Sequence, residues 1–249
     1  MNKKAPNTNE LINLEWDTKF FGFSIGKIYA NGLSVPGLRE KLENAVEKNI
    51  EFVELFCDTS DEESIYSSER LGFHLGDLRI TLIKNLDGNA IENNMHNDLV
   101  FKKADREDTY RLKTFSKGLF KHSRYYRYQK FDPEKIDLMF QIWVEKSISG
   151  ELADELYYLC NETDILAFCS LKYKGSAASI GLFGVNISHQ GKGLGSLMLN
   201  RVFQLLYKRR ITGLDIITPG NNLRALHLYQ KNGFHLSKIT LCYYQWLEL

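Results

Sequence analysis

A glycine-rich run, Gln190-Gly191-Lys192-Gly193-Leu194-Gly195, follows a strand-like segment. It opens into Ser196-Leu197-Met198-Leu199-Asn200-Arg201-Val202-Phe203-Gln204-Leu205-Leu206, where apolar residues recur at helical spacing. Glycine lets another group approach the backbone closely. A helix start leaves N–H groups without partners and carries partial positive charge, so this mouth suits a phosphate ligand. The run is not a P-loop, because no Gly-Lys-Ser/Thr closes it, and its glycines are not spaced as in the dinucleotide fingerprint. Further on stand Asn222, Ala225, Tyr229 and Gly233-Phe234. Asn222 and Tyr229 are two helical turns apart and share a face. Asn222 suits either a ligand hydrogen bond or a helix N-cap.

The elements that must position these residues are legible from patterning. In the first block, Leu38 to Lys48 has helical spacing and Phe52 to Cys57 reads as a buried strand. Asp58, Asp61 and Glu62 open a second helix that stops at Leu71-Gly72, and Leu78 to Ile83 alternates as a strand. The Asn-rich stretch 86–97 reads as a linker. Beyond it, Leu99 to Ala104 is a short strand and Asp105 is placed to cap the next helix. Strands are expected at Leu156–Cys160, Ile165–Tyr173 and Ala178–Asn186. After the glycine loop and its helix come a strand at Leu214–Ile217, a helix at Asn222–Gln230 and closing strands over Leu236–Leu247.

Two segments echo each other. Leu71-Gly72-Phe73-His74-Leu75 resembles Asn232-Gly233-Phe234-His235-Leu236, each preceded by a strand and a short helix and followed by a strand. This suggests two related half-units side by side. The first has no glycine loop and is not expected to bind the same ligand.

Composition narrows the function classes. The 249 residues are 43% hydrophobic and 25% charged, with a formal charge of +1. Nothing in that balance favours a nucleic-acid or membrane-surface partner. No apolar run reaches the roughly 18–20 residues of a membrane span. Met1 to Asn7 has two lysines without a following apolar stretch, so no secretory signal is expected. Cys57, Cys160, Cys169 and Cys242 lie in apolar strand-like runs with no C-x-x-C pair. They are expected to be reduced and buried in a cytoplasmic protein with no metal site.

The order strand, Gln190-x-x-Gly193-x-Gly195, helix, strand, Asn222-x-x-x-Ala225-x-x-x-Tyr229-x-x-x-Gly233-Phe234 resembles the GNAT superfamily of acetyl-CoA-dependent N-acyltransferases. Three further signatures are similar to the dTDP-fucosamine acetyltransferase family: Leu14-Glu15-Trp16-Asp17-x-x-Phe20-Phe21-Gly22, Ser123-Arg124-Tyr125 and Gln141-Ile142-Trp143-Val144-Glu145. That family N-acetylates a nucleotide-linked 4-amino-4,6-dideoxy sugar. The resemblance implies an α/β (α+β) GNAT fold with a mixed, mostly antiparallel central sheet at 98–249. A smaller N-terminal α/β half-domain and linker would occupy 1–97. Dimers are common in the superfamily.

The resemblance also implies roles. Acetyl-CoA would sit with its pyrophosphate on the backbone of Gln190, Gly191, Lys192, Gly193, Leu194, Gly195 and Ser196. Asn222 would contact it as well. Phe183, Gly184 and Val185 would hold the acetyl carbonyl and pantetheine arm where their strand splays from its neighbour. Tyr229 would protonate the leaving thiolate. A small-molecule amine, a nucleotide sugar, would lie against the aromatic–basic segment 115–143 at His122, Arg124, Tyr125 and Trp143, with Arg124 and Arg127 clamping a diphosphate. The same segment also reads as core aromatics with a solvated basic face. No general base stands out; His122, Glu15 and Asp17 are candidates. Two other readings stay open: a peptide, amino-acid or antibiotic amine as acceptor, and a non-catalytic acetyl-CoA-binding module.

Overall fold

A computed structural model describes residues 8–86 and 99–248. Its first block runs β1 (Leu11–Asn13), α1 (Glu15–Phe21), β2 (Ile25–Tyr29), α2 (Val35–Glu47), β3 (Phe52–Asp58), α3 (Glu62–Arg70) and β4 (His74–Asn85). The second begins with β5 (Val100–Lys103), α4 (Thr109–Ser116), a 3-10 turn at Arg124–Arg127 and α5 (Pro133–Ile148). It continues through β6 (Glu155–Cys160), β7 (Ile165–Lys174), β8 (Ala177–Val185), α6 (Leu194–Lys208), β9 (Gly213–Pro219), α7 (Leu223–Lys231) and β10 (His235–Trp246). Among the described residues no helix is long and apolar enough to cross a membrane.

Several expectations shift in detail. β4 is longer than the alternating run suggested, and the closing segment is one strand, β10, irregular between Leu236 and Lys238 and between Cys242 and Tyr243. Asp105 does not cap α4. Its carboxylate accepts from the N–H of Glu107 at 2.9 Å, closing a turn that delays the helix, and Asp108 takes the cap position. All four cysteines are free thiols, but Cys160 is only half-buried because it ends β6 near the sheet edge. Apart from Leu86, the linker reading lies almost wholly on residues outside those described.

The echo extends to whole elements. β3, α3 and β4 recur 161 residues later as β9, α7 and β10, Phe52 falling on Gly213, Glu62 on Leu223 and His74 on His235, with matching ends. The local reasons repeat too. Asp61 caps α3 by accepting from Ser64 N–H, as Asn222 caps α7 by accepting from Ala225 N–H. Gly72 and Gly233 then reverse the chain at φ +84° and +83°, a left-handed conformation that favours glycine. Phe73 and Phe234 follow, both buried.

The half-units interlock rather than lie side by side. All ten strands form one sheet in the order β1-β2-β3-β10-β4-β9-β8-β7-β6-β5. β10 runs between β3 and β4, and β4 between β10 and β9, all antiparallel. Each block thus lends its last strand to the other.

Much of the aromatic segment 115–149 is core. Tyr125, Tyr128, Phe131 and Phe140 are buried and pack with Phe21 and Phe52. One charge lies inside this region. Glu54, in the middle of β3, is 1% exposed. It accepts from Arg124 Nε at 2.6 Å and from the Tyr128 hydroxyl at 2.9 Å, and pairs with Lys27 Nζ at 3.1 Å. Burial alone would raise its pKa, but the charges of Arg124 and Lys27 outweigh burial and hold it from 4.5 down to about 2.

A carboxylate with a depressed folded pKa stabilises above its ordinary value, and that contribution is lost as pH falls through the folded value. Glu54→Gln is therefore expected to flatten the acid limb of the stability curve between pH 4.5 and about 2, followed by urea unfolding. Arg124→Met, which leaves the buried carboxylate with Lys27 alone, is expected to lower unfolding free energy at pH 7 by about 3 kcal/mol. A loss under about 1 kcal/mol would mean that the Arg124–Glu54 pair contributes only what an exposed pair does.

Candidate active site

The site begins where β8 and β9 part. Their parallel pairing runs only from Ala177–Gly213 to Ile180–Ile216, although β8 continues to Val185 and β9 to Pro219. On its other edge β8 stays bonded to β7, with an irregularity between Cys169 and Leu171. Leu182 N–H donates to the Ser170 hydroxyl and Asn186 N–H to the Leu166 carbonyl, each at 2.8 Å. Backbone N–H groups alternate sides along a strand. Those of Phe183 and Val185 therefore point away from β7, into the gap left by β9.

The glycine loop lies at one end of this gap. Gly191 and Gly193 have φ of +82° and +81°, which side-chain-bearing residues rarely adopt, and open space where a Cβ would be. Gly193 is the N-cap of α6, so the N–H groups of Leu194, Gly195 and Ser196 are its first-turn donors. Among the described residues none of them has an acceptor. At Gly195 a Cβ would come within 2.9 Å of Leu228, so glycine is what lets α7 pack against the mouth. Gln190 fastens the loop: its side-chain amide donates to the Val185 carbonyl at 3.3 Å and accepts from Arg224. Ser196 Oγ accepts from Asn232 at 3.0 Å. Lys192 is exposed and does not line the adjoining cavity.

Two cavities, each of about 460 Å³, meet across this gap. One is bordered by the glycine loop, Gly184, Val185 and the cations Lys121, Arg224 and Lys231. The other is bordered by Arg124, Tyr125, Trp143 and residues of β4, β8 and β9. Phe183, His122, Asn222 and Tyr229 border both. Tyr229 is 4% exposed, and its ring sits edge-on to Phe183 at 6.0 Å. Burial pushes its phenol pKa up, as it does the thiol of Cys169, so Tyr229 keeps its proton at neutral pH. Asn222 Oδ1 is used by the cap, which leaves its amide NH₂ for a ligand.

Both arginines expected to clamp a diphosphate have partners within the protein. Arg124 gives Nε and one terminal nitrogen to Glu54, the latter also reaching the Tyr125 hydroxyl at 3.1 Å. Arg127 donates to the Gly76 carbonyl at 3.1 Å and borders neither cavity. Burying Glu54 claims one guanidinium, and the edge of β4 takes the other. Glu15 and Asp17 also border neither cavity, so His122 is the base candidate that geometry retains. His227 and His235 are exposed.

Sequence reasoning missed Asp77, Arg79, Ser179, Asp215 and Thr218 on the second cavity. Asp77 and Arg79 come from the first block, carried there by the exchanged strand β4. The available signal was a pair of opposite charges two apart in an alternating strand, and a lone Glu54 inside the apolar run Phe52 to Cys57.

The first block's counterpart of the mouth is filled by its own side chains. Gly32 N–H donates to Asp61 at 3.0 Å and Leu33 N–H to Ser64 at 2.9 Å, ahead of α2. Calorimetry is therefore expected to give one acetyl-CoA per chain despite two related half-units. A stoichiometry of two would mean that these side chains do not close the first mouth.

Residues 118–234 match the model of the acetyltransferase (GNAT) family. No curated protein matches the chain. Among solved structures, a GCN5-related N-acetyltransferase from Sphaerobacter thermophilus superposes with a TM-score of 0.67 at 13% identity, over 96% of this chain and 78% of that one. A tandem GNAT protein from the clavulanic acid biosynthesis pathway gives 0.59 at 10% identity, over 85% and 69%. The glucosamine N-acetyltransferase region of a fungal multi-domain β-N-acetylglucosaminidase gives 0.62 at 14%, over 94% and 30%. With the parted strands and the glycine mouth behind them, these likenesses identify a GNAT fold, and residues 118–234 are similar to the acetyltransferase (GNAT) family.

Proposed function

We propose that this chain transfers the acetyl group of acetyl-CoA to the amine of a nucleotide-linked amino-deoxy sugar. The observation that carries the reading is Tyr229, a buried phenol on the wall shared by both cavities. One cavity fits the cofactor: free first-turn amides, left-handed glycines with room for a ligand, and a cationic rim. The other combines two aromatic walls, Tyr125 and Trp143, with charged groups, a mixture suited to a polar ring bearing an anion. The fungal structure's described specificity, glucosamine, is a sugar amine too.

When bound, acetyl-CoA supplies the thioester carbon to be attacked and the sulfur that departs. The amides of Leu194, Gly195 and Ser196 hold its diphosphate. The N–H of Phe183, freed by the parting of β8 from β9, donates to the carbonyl oxygen as charge gathers there, a contribution of about 3–4 kcal/mol for a well-placed donor. Tyr229 delivers its proton toward the sulfur. A raised phenol pKa is no handicap here, since a sulfur anion in the same enclosure is disfavoured by the same loss of solvent. His122 stands where it can take the proton released by the amine.

Tyr229→Phe is expected to leave acetyl-CoA affinity within about twofold while lowering turnover on the order of 10²-fold, read by thiol release and calorimetry. Unchanged turnover would remove Tyr229 from the chemistry. A panel of dTDP- and UDP-linked amino sugars is expected to release free thiol faster than lysine-rich peptides, free amino acids or aminoglycosides. The reverse ranking would move the acceptor to those classes, and binding without turnover on any amine would leave a non-catalytic module.

A further inference from the structure

The ring of Phe56, on β3, is flanked by three cations: Lys27 at 5.1 Å, Arg124 at 5.4 Å and Arg79 at 5.5 Å. One carboxylate, Glu54, serves two of them, Lys27 at 3.1 Å and Arg124 at 2.6 Å. Arg79 has no ion pair and no hydrogen bond among the described residues. It is half-buried on β4 and borders the second cavity with Tyr125 and Trp143. Two further acids lie close. Asp77 is two residues earlier on β4, on the same face, and Asp17 is on α1. Burial weakens both as anions by raising their pKa, and the cations that most affect Asp77 are Arg124 and Arg127, not Arg79.

A guanidinium taken partly out of water without an anion is unfavourable unless something supplies one. Arg124 also borders this cavity, but Nε and one terminal nitrogen are committed to Glu54, which leaves it one terminal nitrogen rather than a two-pronged fork. Arg79 keeps its whole donor fork available, and that fork matches phosphate oxygens. We propose that Arg79, contributed by the first block, is the anion-binding residue of the acceptor cavity, and that the anion is the acceptor's diphosphate. This rests on the reading of that cavity as the acceptor's. It gives the first block a role in the active site, since β4 brings the cation to a cavity otherwise built largely from the second block.

The test is calorimetry on the full chain saturated with CoA, so that the first cavity is filled, using dTDP, UDP and inorganic pyrophosphate as probes. Arg79→Gln is expected to weaken dTDP or UDP binding on the order of tenfold to a hundredfold, and Arg79→Lys less, since the charge stays but the fork is lost. CoA affinity of both variants should stay within about twofold, which also certifies that they fold. Nucleoside diphosphate binding that survives Arg79→Gln overturns the role of Arg79 and leaves the nucleotide-sugar reading standing. Pyrophosphate binding that depends on Arg79, with no nucleoside diphosphate binding, supports the anion site and overturns the nucleotide. No binding of any of the three probes to the wild-type protein overturns both.

Discussion

The candidate site depends on a place where a sheet stops being a sheet. β8 and β9 hold each other as far as Ile180 and Ile216 and then diverge, although both continue as strands. Elsewhere a backbone N–H left without a strand partner costs free energy. Here the cost is limited because β8 stays anchored to β7 through Leu182 and Asn186, so only alternate amides are released. The candidate site is arranged around the opening: the glycine mouth at one end, Phe183 along its edge, and Tyr229 across it.

The strand on the far side of β9 lines the second cavity together with it. That strand, β4, belongs to the first block, while the second block's own last strand is displaced one place further, between β4 and β3. The first block is thus a structural part of the candidate site, and its β3 supplies the carboxylate that immobilises Arg124 against the aromatic core. The same repeat carries one open glycine mouth and one whose N–H groups are taken by Asp61 and Ser64. The repeated element pattern carries different side chains near its two helix starts.

Local chemistry was the legible part. The glycine loop, the α6 helix, the Asn222 cap and the face shared with Tyr229 depend on spacings of a few residues, and the sequence states those directly. Strand existence was equally readable from alternation. Strand order was not: nothing near residue 80 says that its neighbours will be residues 239 and 218. For that reason the sequence does not single out Asp77 and Arg79, and it presents Arg124 and Arg127 without their protein partners. Their carboxylate and carbonyl partners lie far away in sequence, and pairing with Glu54 becomes compulsory only once β3 is buried. The aromatic segment shows the same limit, because its composition fits a ligand platform and a core equally, and only packing divides it between the two.

The exchanged strands also bear on how the molecule acquires its shape. The middle of the sheet joins β3 to β10, so residues near 55 must wait for residues near 243 before their hydrogen bonds can close. Such distant pairing makes for slow folding. During synthesis, the apolar edge of β3 stays open until most of the chain has been made, and an open edge of that kind is prone to pair with other chains. Expression temperature and chaperone supply should therefore govern the yield of soluble protein more than the stability of the finished fold does.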